Sequence, residues 1–425
     1  MPFDFSRSSS APEKQLVPSV AEVLDPTNIL ELVRDPDSRQ VRLLHWNGKQ
    51  SVVSEEFGFR GRRYVPTSGD KLIRHLPSKP APYSGTQALF SALAEFIEKN
   101  SGVGGDDAAQ LAFFTFASYF CDCLSISPCL LLFGAPLQAV SLLRVLSCTC
   151  RNPVLSVGSS MVGLPPELRP TRIICQSDSR LQRQLLALQF QGFGLVDPQP
   201  REISGASVIY AGNVDLKTPF AEACLQLWVS PGSRSFGLRD EDQQAAMIHD
   251  LQNQLLMYRL QNYFKVRRSE FDIPEFAGAT REYVRALGQC LVDAPELQTR
   301  LRTLFRSRDD GDRTEAACEL DAVVVEALAV CCHERKPSVH VGEVATLANG
   351  ILNLRGEKVE LSAKQLGGRL KNLGFRTTRL DSGGRGIYLL NGECARVHRH
   401  GRALGIMALR EGLPGCPFCK EGEGK

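Results

Sequence analysis

Apolar residues change their spacing several times along this chain, and each change marks a different kind of element. Near the N-terminus QVRLLHW and SVVSEEF flank Asn47-Gly48-Lys49-Gln50. Asn-Gly is a tight-turn signal, so residues 20–83 read as a small β-rich lobe, preceded by a polar and mobile end at 1–19. A Pro-rich connector, Leu76–Tyr83 (LPSKPAPY), closes the lobe. From Ser84 the spacing turns helical. TQALFSALAEFIEK and DAAQLAFFTFASYF show apolar recurrence at three and four residues, with SGVGG between them. Short apolar runs (CLLLF, PVLSV, TRIIC, SVIYAG, LQLWV) then alternate with helical ones (SLLRVLSC, SRLQRQLLALQF). That alternation predicts a parallel sheet with crossover helices. A stripe at Ile248, Leu251, Leu255 and Tyr258 predicts an amphipathic helix over Arg239–Val266. FDIPEF breaks it, and a helical region follows to about Arg308. This gives an α/β domain with a helical extension over 84–306, and SRDDGDR at Ser307–Arg313 reads as the start of a charged linker over 307–318.

Three helical patterns follow over 319–405. Leu320, Val323, Val324, Ala327, Leu328 and Cys331 mark the first, and Val344, Leu347, Ala348 and Ile351 the second. The third opens on a capping box, Ser362-Ala-Lys-Gln365, buries Leu366, Leu370 and Leu373, and ends at Gly374. FRTTRL and GIYLL then flank Asp381-Ser-Gly-Gly-Arg-Gly386. Three helices and a glycine-tipped basic hairpin are the outline of a winged helix-turn-helix. Residues 406–425 form a tail with a CxxC.

Composition sharpens this picture in three ways. A chain of 425 residues with 43% apolar content can bury a large core and is expected to hold two or three domains. The net charge is only +3, yet Ser362–Arg402 contains nine Lys/Arg and two Asp/Glu, a local +7. Fourteen cysteines, many inside apolar runs, with no cleavable leader in view, predict a reduced, cytoplasmic chain in which Cys121, Cys123, Cys129, Cys148 and Cys150 act as small core hydrophobes. The most apolar stretch, Leu111–Phe133, contains Asp122 and Pro128, so no membrane span is expected.

The candidate chemistry begins at Cys129–Leu146, CLLLFGAPLQAVSLLRVL, whose strand-loop-helix outline is that of a phosphate-binding P-loop. Such a loop, GxxxxGK[ST], needs a second glycine so that amides curl round a phosphate, a lysine for charge and a hydroxyl for Mg²⁺. Gly134 is followed by Ala139, Val140 and Ser141, so only the hydroxyl remains. Acids that would hold Mg²⁺ belong at the end of TRIICQSD, where Cys175 and Gln176 stand instead, with Asp178 further on. Asn213 ends another strand; it reads as a γ-phosphate sensor or as ordinary Gly-Asn turn chemistry. Taken alone, the segment is a retired ATPase or an α/β core that never held a nucleotide.

The order LLLFGAP…SLLRVLSCTCRNPVLSV, LPPELRPTRIIC, SVIYAGN and QNQLLMYRLQNYFKVRRSEFD, followed by HVGEVATLANGILNLRGEKVELSAKQLGGRLKNLGFRTTRLDSGGRGIYL, resembles a group of bacterial proteins related to primase-helicase-type P-loop ATPases of phages and other mobile elements. The resemblance runs from about Tyr83 to Ile406. It implies a RecA/AAA+-like α/β P-loop core followed by a winged helix, with Gly134–Ser141 as the nucleotide loop, Cys175–Gln176 at the acidic strand end and Asn213 as sensor. It also implies homo-oligomeric rings. The sequence departs from that pattern at the lysine, the second glycine and both acids, so ATP hydrolysis is not expected, while Ser141 and the amides at the helix N-terminus leave weak binding of a nucleotide phosphate with Mg²⁺ open.

Two surface features complete the expectation. Lys364, Arg369 and Lys371 lie off the leucine stripe of the third helix, and Arg376, Arg379 and Arg385 mark the hairpin. Charge of one sign that continues from helix to hairpin predicts contact with double-stranded DNA rather than a merely solvated face. Gly367-Gly368 inside that helix predicts either close backbone approach to a phosphate or local fraying. Cys416-Pro-Phe-Cys419 has the spacing of half a zinc knuckle, with Cys394, His398 and His400 as candidates for the other half, but a single CxxC of this kind is more often unliganded, and Cys331-Cys332-His333 reads simply as a helix end. The expected function is DNA binding by a protein whose P-loop-type domain is catalytically degenerate. Its rivals are an active ATPase or helicase using substitute or partner-supplied residues, and a winged-helix transcriptional regulator.

Overall fold

Branched and aromatic residues in short runs start forming strands at Gln15, inside the segment expected to be mobile. In the computed structural model, which describes residues 15–67, 71–73, 75–156, 171–175, 182, 185, 193–196, 199–202, 205–212, 216, 218–231, 241–276, 278–406 and 416–420, β1 (Gln15–Ser19) is held by pairing with a strand 47 residues on. β2 (Ala21–Val23), β3 (Ile29–Arg34), β4 (Val41–Trp46), β5 (Ser51–Ser54), β6 (Phe57–Phe59) and β7 (Arg62–Pro66) follow. They make two sheets, β1-β7-β6 with β1 parallel to β7, and an antiparallel β2-β3-β4-β5. The turn between β4 and β5 is the Asn-Gly turn: Asn47 Oδ1 accepts from the Lys49 and Gln50 amides at 3.0 and 2.8 Å, and Gly48 takes a φ of 89°. Leu30, Leu32, Leu43 and Ile73 form the buried centre, closed by Val154 from the next part of the chain.

α1 (Thr86–Ser101) and α2 (Gly105–Ser118) pack through Phe90 and Phe113, whose ring centroids are 4.4 Å apart. Next come β8 (Cys129–Gly134), α3 (Pro136–Thr149), β9 (Pro153–Ser156), β10 (Thr171–Ile174), the hairpin β11 (Phe193–Val196) and β12 (Gln199–Glu202), β13 (Ser207–Tyr210), α4 (Pro219–Glu222) and β14 (Leu225–Val229). β8 to β10, β13 and β14 form one sheet in the order β14-β8-β13-β10-β9, parallel at every pairing. Leu130, Leu131 and Leu132 are all buried, as expected of a central strand covered on both faces.

The stripe Ile248, Leu251, Leu255 and Tyr258 is the buried face of α5 (Glu241–Arg267). This helix also carries Arg259, whose fully buried guanidinium binds Glu31 on β3 at 2.5 Å and Asp122 at 2.6 Å, while Arg151 reaches the same Glu31 at 2.9 Å. The Pro-rich connector does not act as a free spacer. Asn253 on α5 accepts from the Ser78 amide at 2.9 Å, and His249, expected merely to sit beside the apolar stripe, hydrogen-bonds the Ser78 hydroxyl at 2.6 Å.

α6 (Gly278–Gln289) and α7 (Pro295–Cys318) follow, and α7 corrects the expected linker. Residues 307–318 are helical. A single glycine, Gly311, costs a helix only about 1 kcal/mol, and the surrounding Arg, Ala and Glu are good helix formers. The chain divides into two units, 1–274 with 279–304 and 275–278 with 305–425, and the second begins inside this helix rather than after a break.

In the second unit α8 (Leu320–His333), β15 (Ser338–His340), α9 (Val341–Leu354), α10 (Ala363–Asn372), β16 (Thr378–Arg379), β17 (Arg385–Tyr388), α11 (Asn391–Ala403) and α12 (Pro417–Lys420) follow in turn. The capping box is formed: Ser362 Oγ accepts from the Gln365 amide, and Gln365 Oε1 accepts from the Ser362 amide at 3.0 Å. Val323, Leu328, Val344, Leu366, Leu370 and Ile387 share one core beneath the antiparallel sheet β15-β17-β16. Among the described residues, no helix is long and apolar enough to cross a membrane.

Candidate functional site

In a parallel α/β sheet the C-terminal strand ends open on one edge, which is where such sheets bind ligands. β8, β10 and β13 therefore bring Gly134, Cys175 and Tyr210 to the same crest. The expected nucleotide loop is not formed there. Gly134 has a φ of 105°, and a Cβ on it would lie 2.5 Å from the Val229 carbonyl oxygen of β14. Close strand packing, not a phosphate, demands this glycine. The next amide, Ala135, donates to that same carbonyl at 2.9 Å, and α3 then starts at Pro136. One residue separates strand from helix. The Ala139 amide is already used within α3, donating to the Ala135 carbonyl at 3.0 Å. Ala139 and Ser141 face the interior, and Val140 is on the exposed side. The Ser141 hydroxyl is therefore a buried helix residue, away from any loop. Proline at the first helical position, where its fixed φ suits the helix and its missing N–H is no loss, was the available sequence signal. The Tyr210 hydroxyl, which the sequence did not single out, donates to the Gly134 carbonyl at 3.2 Å and caps the crest. Cys175 is half-buried, and burial pushes its thiol up. Gln176, Asp178 and Asn213 lie outside the described residues.

A second candidate site is the basic face of the C-terminal unit. α10 turns Leu366 and Leu370 inward, so Lys364 and Lys371 point outward. Arg376, Arg379 and Arg385 are exposed along the segment leading into and across the β16–β17 hairpin. Among the described residues these five cations form no salt bridge. Arg369 differs: it is half-buried and its Nη1 lies 2.5 Å from Asp321 Oδ1 on α8, so its charge is already answered. Cβ atoms on Gly367 and Gly368 would meet nothing within 4 Å, so no internal packing requires these glycines, and the helix is unbroken across them. The hairpin tip is defined. Gly383 and Gly384 have φ of 85° and 80°, and Ser382 hydrogen-bonds His340 of β15 at 2.8 Å. Gly386 is fixed by crowding, since a Cβ there would lie 2.4 Å from the Val339 carbonyl oxygen.

Beside that core, four side chains distant in sequence converge. His333 ends α8, His398 lies on α11, Cys416 immediately precedes α12 and Cys419 lies within its single turn. His333 Nε2 and His398 Nε2 are 3.1 Å apart, Cys416 Sγ is 3.4 Å from His398 Nε2, and Cys419 Sγ is 3.4 Å from His333 Nε2. The four atoms lie within 4.8 Å of one another. The buried His398 donates from Nδ1 to the Cys394 carbonyl at 2.8 Å, which turns its Nε2 toward the cluster. Burial, and then the facing His398, lowers the His333 pKa. Of the expected partners for the CxxC, only His398 is in place. Cys394 binds the Leu389 carbonyl through its thiol, and His400 packs against Phe375 with ring centroids 5.6 Å apart. The separation of 65 residues between the two histidines left no local signal for His333.

No protein-family model matches the chain, and no curated protein matches it. Among solved structures it is similar to a full-length MCM homolog from Methanopyrus kandleri, at 12% identity over 68% of this chain and 75% of that one, with a TM-score of 0.35. It is similar also to the apo C-terminal region of NrS-1, at 8% identity over 84% and 96%, with a TM-score of 0.31. These likenesses are distant. What the chain can do rests on its own strand order and side chains.

Proposed function

We propose that this protein binds double-stranded DNA through a winged helix in its C-terminal unit, and that its α/β unit is a P-loop-type domain that does not turn over nucleotide. The order helix, strand, helix, helix, hairpin over Leu320–Tyr388 supports the winged-helix reading, with α10 as the helix that enters the major groove and the β16–β17 hairpin as the wing. The observation that carries the proposal is the set of exposed cations of one sign, Lys364, Lys371, Arg376, Arg379 and Arg385, spread over helix and wing without carboxylate partners among the described residues. Arg369 is excluded from that set by Asp321. In the α/β unit the first strand, β8, lies between the fourth and fifth, the order of a P-loop ATPase core. The chemistry is missing from it: α3 begins at Pro136, and neither a lysine nor an acid stands at Val140 or Cys175. Electrostatic stabilisation of a transferring phosphoryl group would then have no source among the described residues.

Full-length protein should shift a labelled duplex, and the variant with Lys371, Arg376 and Arg385 all changed to alanine should shift it only at higher protein concentration. Phosphate release from ATP should equal that of a protein-free control, with and without DNA. Turnover of about 1 s⁻¹ or faster would overturn the non-catalytic reading, and equal binding by wild type and triple variant would overturn the DNA-binding one.

A further inference from the structure

We propose that His333, His398, Cys416 and Cys419 form a structural zinc site that fastens the C-terminal CxxC turn to the helical core of the second unit. The inference is independent of DNA binding, since none of the four residues belongs to the basic face.

The argument starts from ligand geometry. Zinc binds imidazole nitrogen at about 2.0–2.1 Å and thiolate sulfur at about 2.3 Å, nearly always as a tetrahedron in structural sites. Those lengths and the tetrahedral angle place two nitrogens ~3.3 Å apart, and a nitrogen and a sulfur ~3.5 Å apart. The observed edges are 3.1 Å between the histidine nitrogens and 3.4 Å for each of the two nitrogen-to-sulfur contacts. Three of the six edges thus match a zinc tetrahedron, and the other three are no longer than 4.8 Å. The two Nε2 atoms face one another at 3.1 Å, and the two sulfurs complete a set that suits a cation of borderline softness. A tetrahedral N₂S₂ donor set selects zinc among the common divalent metals.

The surroundings support the ligands in the manner typical of such sites. His398 is oriented by its Nδ1 bond to the Cys394 carbonyl, the kind of contact that fixes the tautomer of a ligating histidine. The CxxC turn is held from both sides: Arg402 donates to the Phe418 carbonyl at 3.1 Å, and the Phe418 ring lies 5.7 Å from that of His398. A cleft of ≈ 520 Å³ lined by His333, Cys394, Cys416 and Phe418 gives the ion a path from solvent. Binding Zn²⁺ releases one proton from each of the two thiols, and the resulting dithiolate site is electrically neutral, which suits its half-buried position. All four positions are taken by protein, leaving none for a substrate or an activated water. The role is therefore structural: four residues on three elements close a loop of more than eighty residues, from His333 to Cys419.

The test uses full-length chain without a histidine tag, purified anaerobically under a thiol reductant. Elemental analysis should find one zinc per chain. After chelation, Co²⁺ titrated into the wild-type protein should give the intense visible bands of a tetrahedral site and a thiolate-to-cobalt charge-transfer band. Replacing Cys416 and Cys419 together by serine should remove both zinc and the charge-transfer band. His333→Ala should weaken cobalt binding by more than about 100-fold, beyond the 10–100-fold that loss of a residue merely supporting a ligand costs. Cys394→Ser and His400→Ala should retain one zinc per chain. Circular dichroism of each variant separates loss of metal from loss of fold, and the wild-type cobalt spectrum stands whatever the variants do. The proposal is overturned if wild-type chain carries no zinc and gives only octahedral cobalt bands, if His333→Ala retains full affinity while Cys394→Ser or His400→Ala loses it, or if Cys416 and Cys419 are found joined by a disulfide in the anaerobic preparation.

Discussion

If Lys364, Lys371, Arg376, Arg379 and Arg385 each meet a DNA phosphate, the salt dependence of binding follows from their number. Each phosphate neutralised on duplex DNA contributes about 0.9 to the slope of log affinity against log salt, so five contacts give a slope of roughly −4.5. Between 50 and 200 mM salt, affinity should then fall by about 500-fold. Removing Lys371, Arg376 and Arg385 leaves two contacts, a slope of roughly −1.8 and a fall of only about 12-fold over the same range. Arg369 provides the internal control. Its guanidinium is held by Asp321 at 2.5 Å, with both side chains about one-third exposed, so Arg369→Ala should leave the slope unchanged and lower stability by no more than about 1 kcal/mol. Fluorescence anisotropy of a labelled duplex, titrated with full-length protein at several salt concentrations, reads all three slopes. A wild-type slope shallower than about −1, or a triple variant with the wild-type slope, refutes the assignment of these cations to phosphates. An Arg369→Ala slope reduced as much as that of Lys371→Ala refutes the distinction drawn from the ion pair.

Arg259→Met should destabilise the first unit by about 3–5 kcal/mol in urea unfolding, because it removes the guanidinium paired with the buried Asp122 and with Glu31. Arg281→Met, which breaks a pair with Asp272 whose side chains are 37% and 40% exposed, should cost under about 1 kcal/mol, and equal effects would show that burial is not what matters. Gly134→Ala should lower the thermal midpoint of the same unit, since its Cβ meets a backbone carbonyl at 2.5 Å and its φ is positive; an unchanged midpoint would return this glycine to a purely functional role. Burial pushes the thiols of Cys121 and Cys150 up to about 12, so at pH 8 only about one in ten thousand is thiolate, the reactive form. Mass spectrometry after brief alkylation of native protein should find Cys318, which is exposed, modified well before either of them; comparable labelling of Cys121 or Cys150 would count against their burial.

What the sequence determined by itself is local. Hydrophobic spacing located the helices Thr86–Ser101, Gly105–Ser118 and Glu241–Arg267, and the short apolar runs that became β8, β9, β10, β13 and β14, because period and branching act within a few residues. The Ser362–Gln365 capping box and the Asn47-Gly48 turn were legible for the same reason: the groups that bond are three residues apart or fewer. Charge ran against this. The charged run Ser307–Arg313 looked like a linker, yet good helix formers on either side of one glycine continue α7 to Cys318. Tertiary structure alone decided the rest. Only the sheet shows that Gly134 is required by the Val229 carbonyl, and only the bundle shows that Asp321 has claimed Arg369, so two residues that read as ligand contacts have structural partners. The pairing of the CxxC with His333, 86 residues before Cys419, and of Glu31 with Arg259, 228 residues away, is set by how whole elements pack. Spacing along a chain constrains neighbours within one element; which elements meet is fixed by burying their apolar faces together, and side chains far apart in sequence become partners only once that packing is complete.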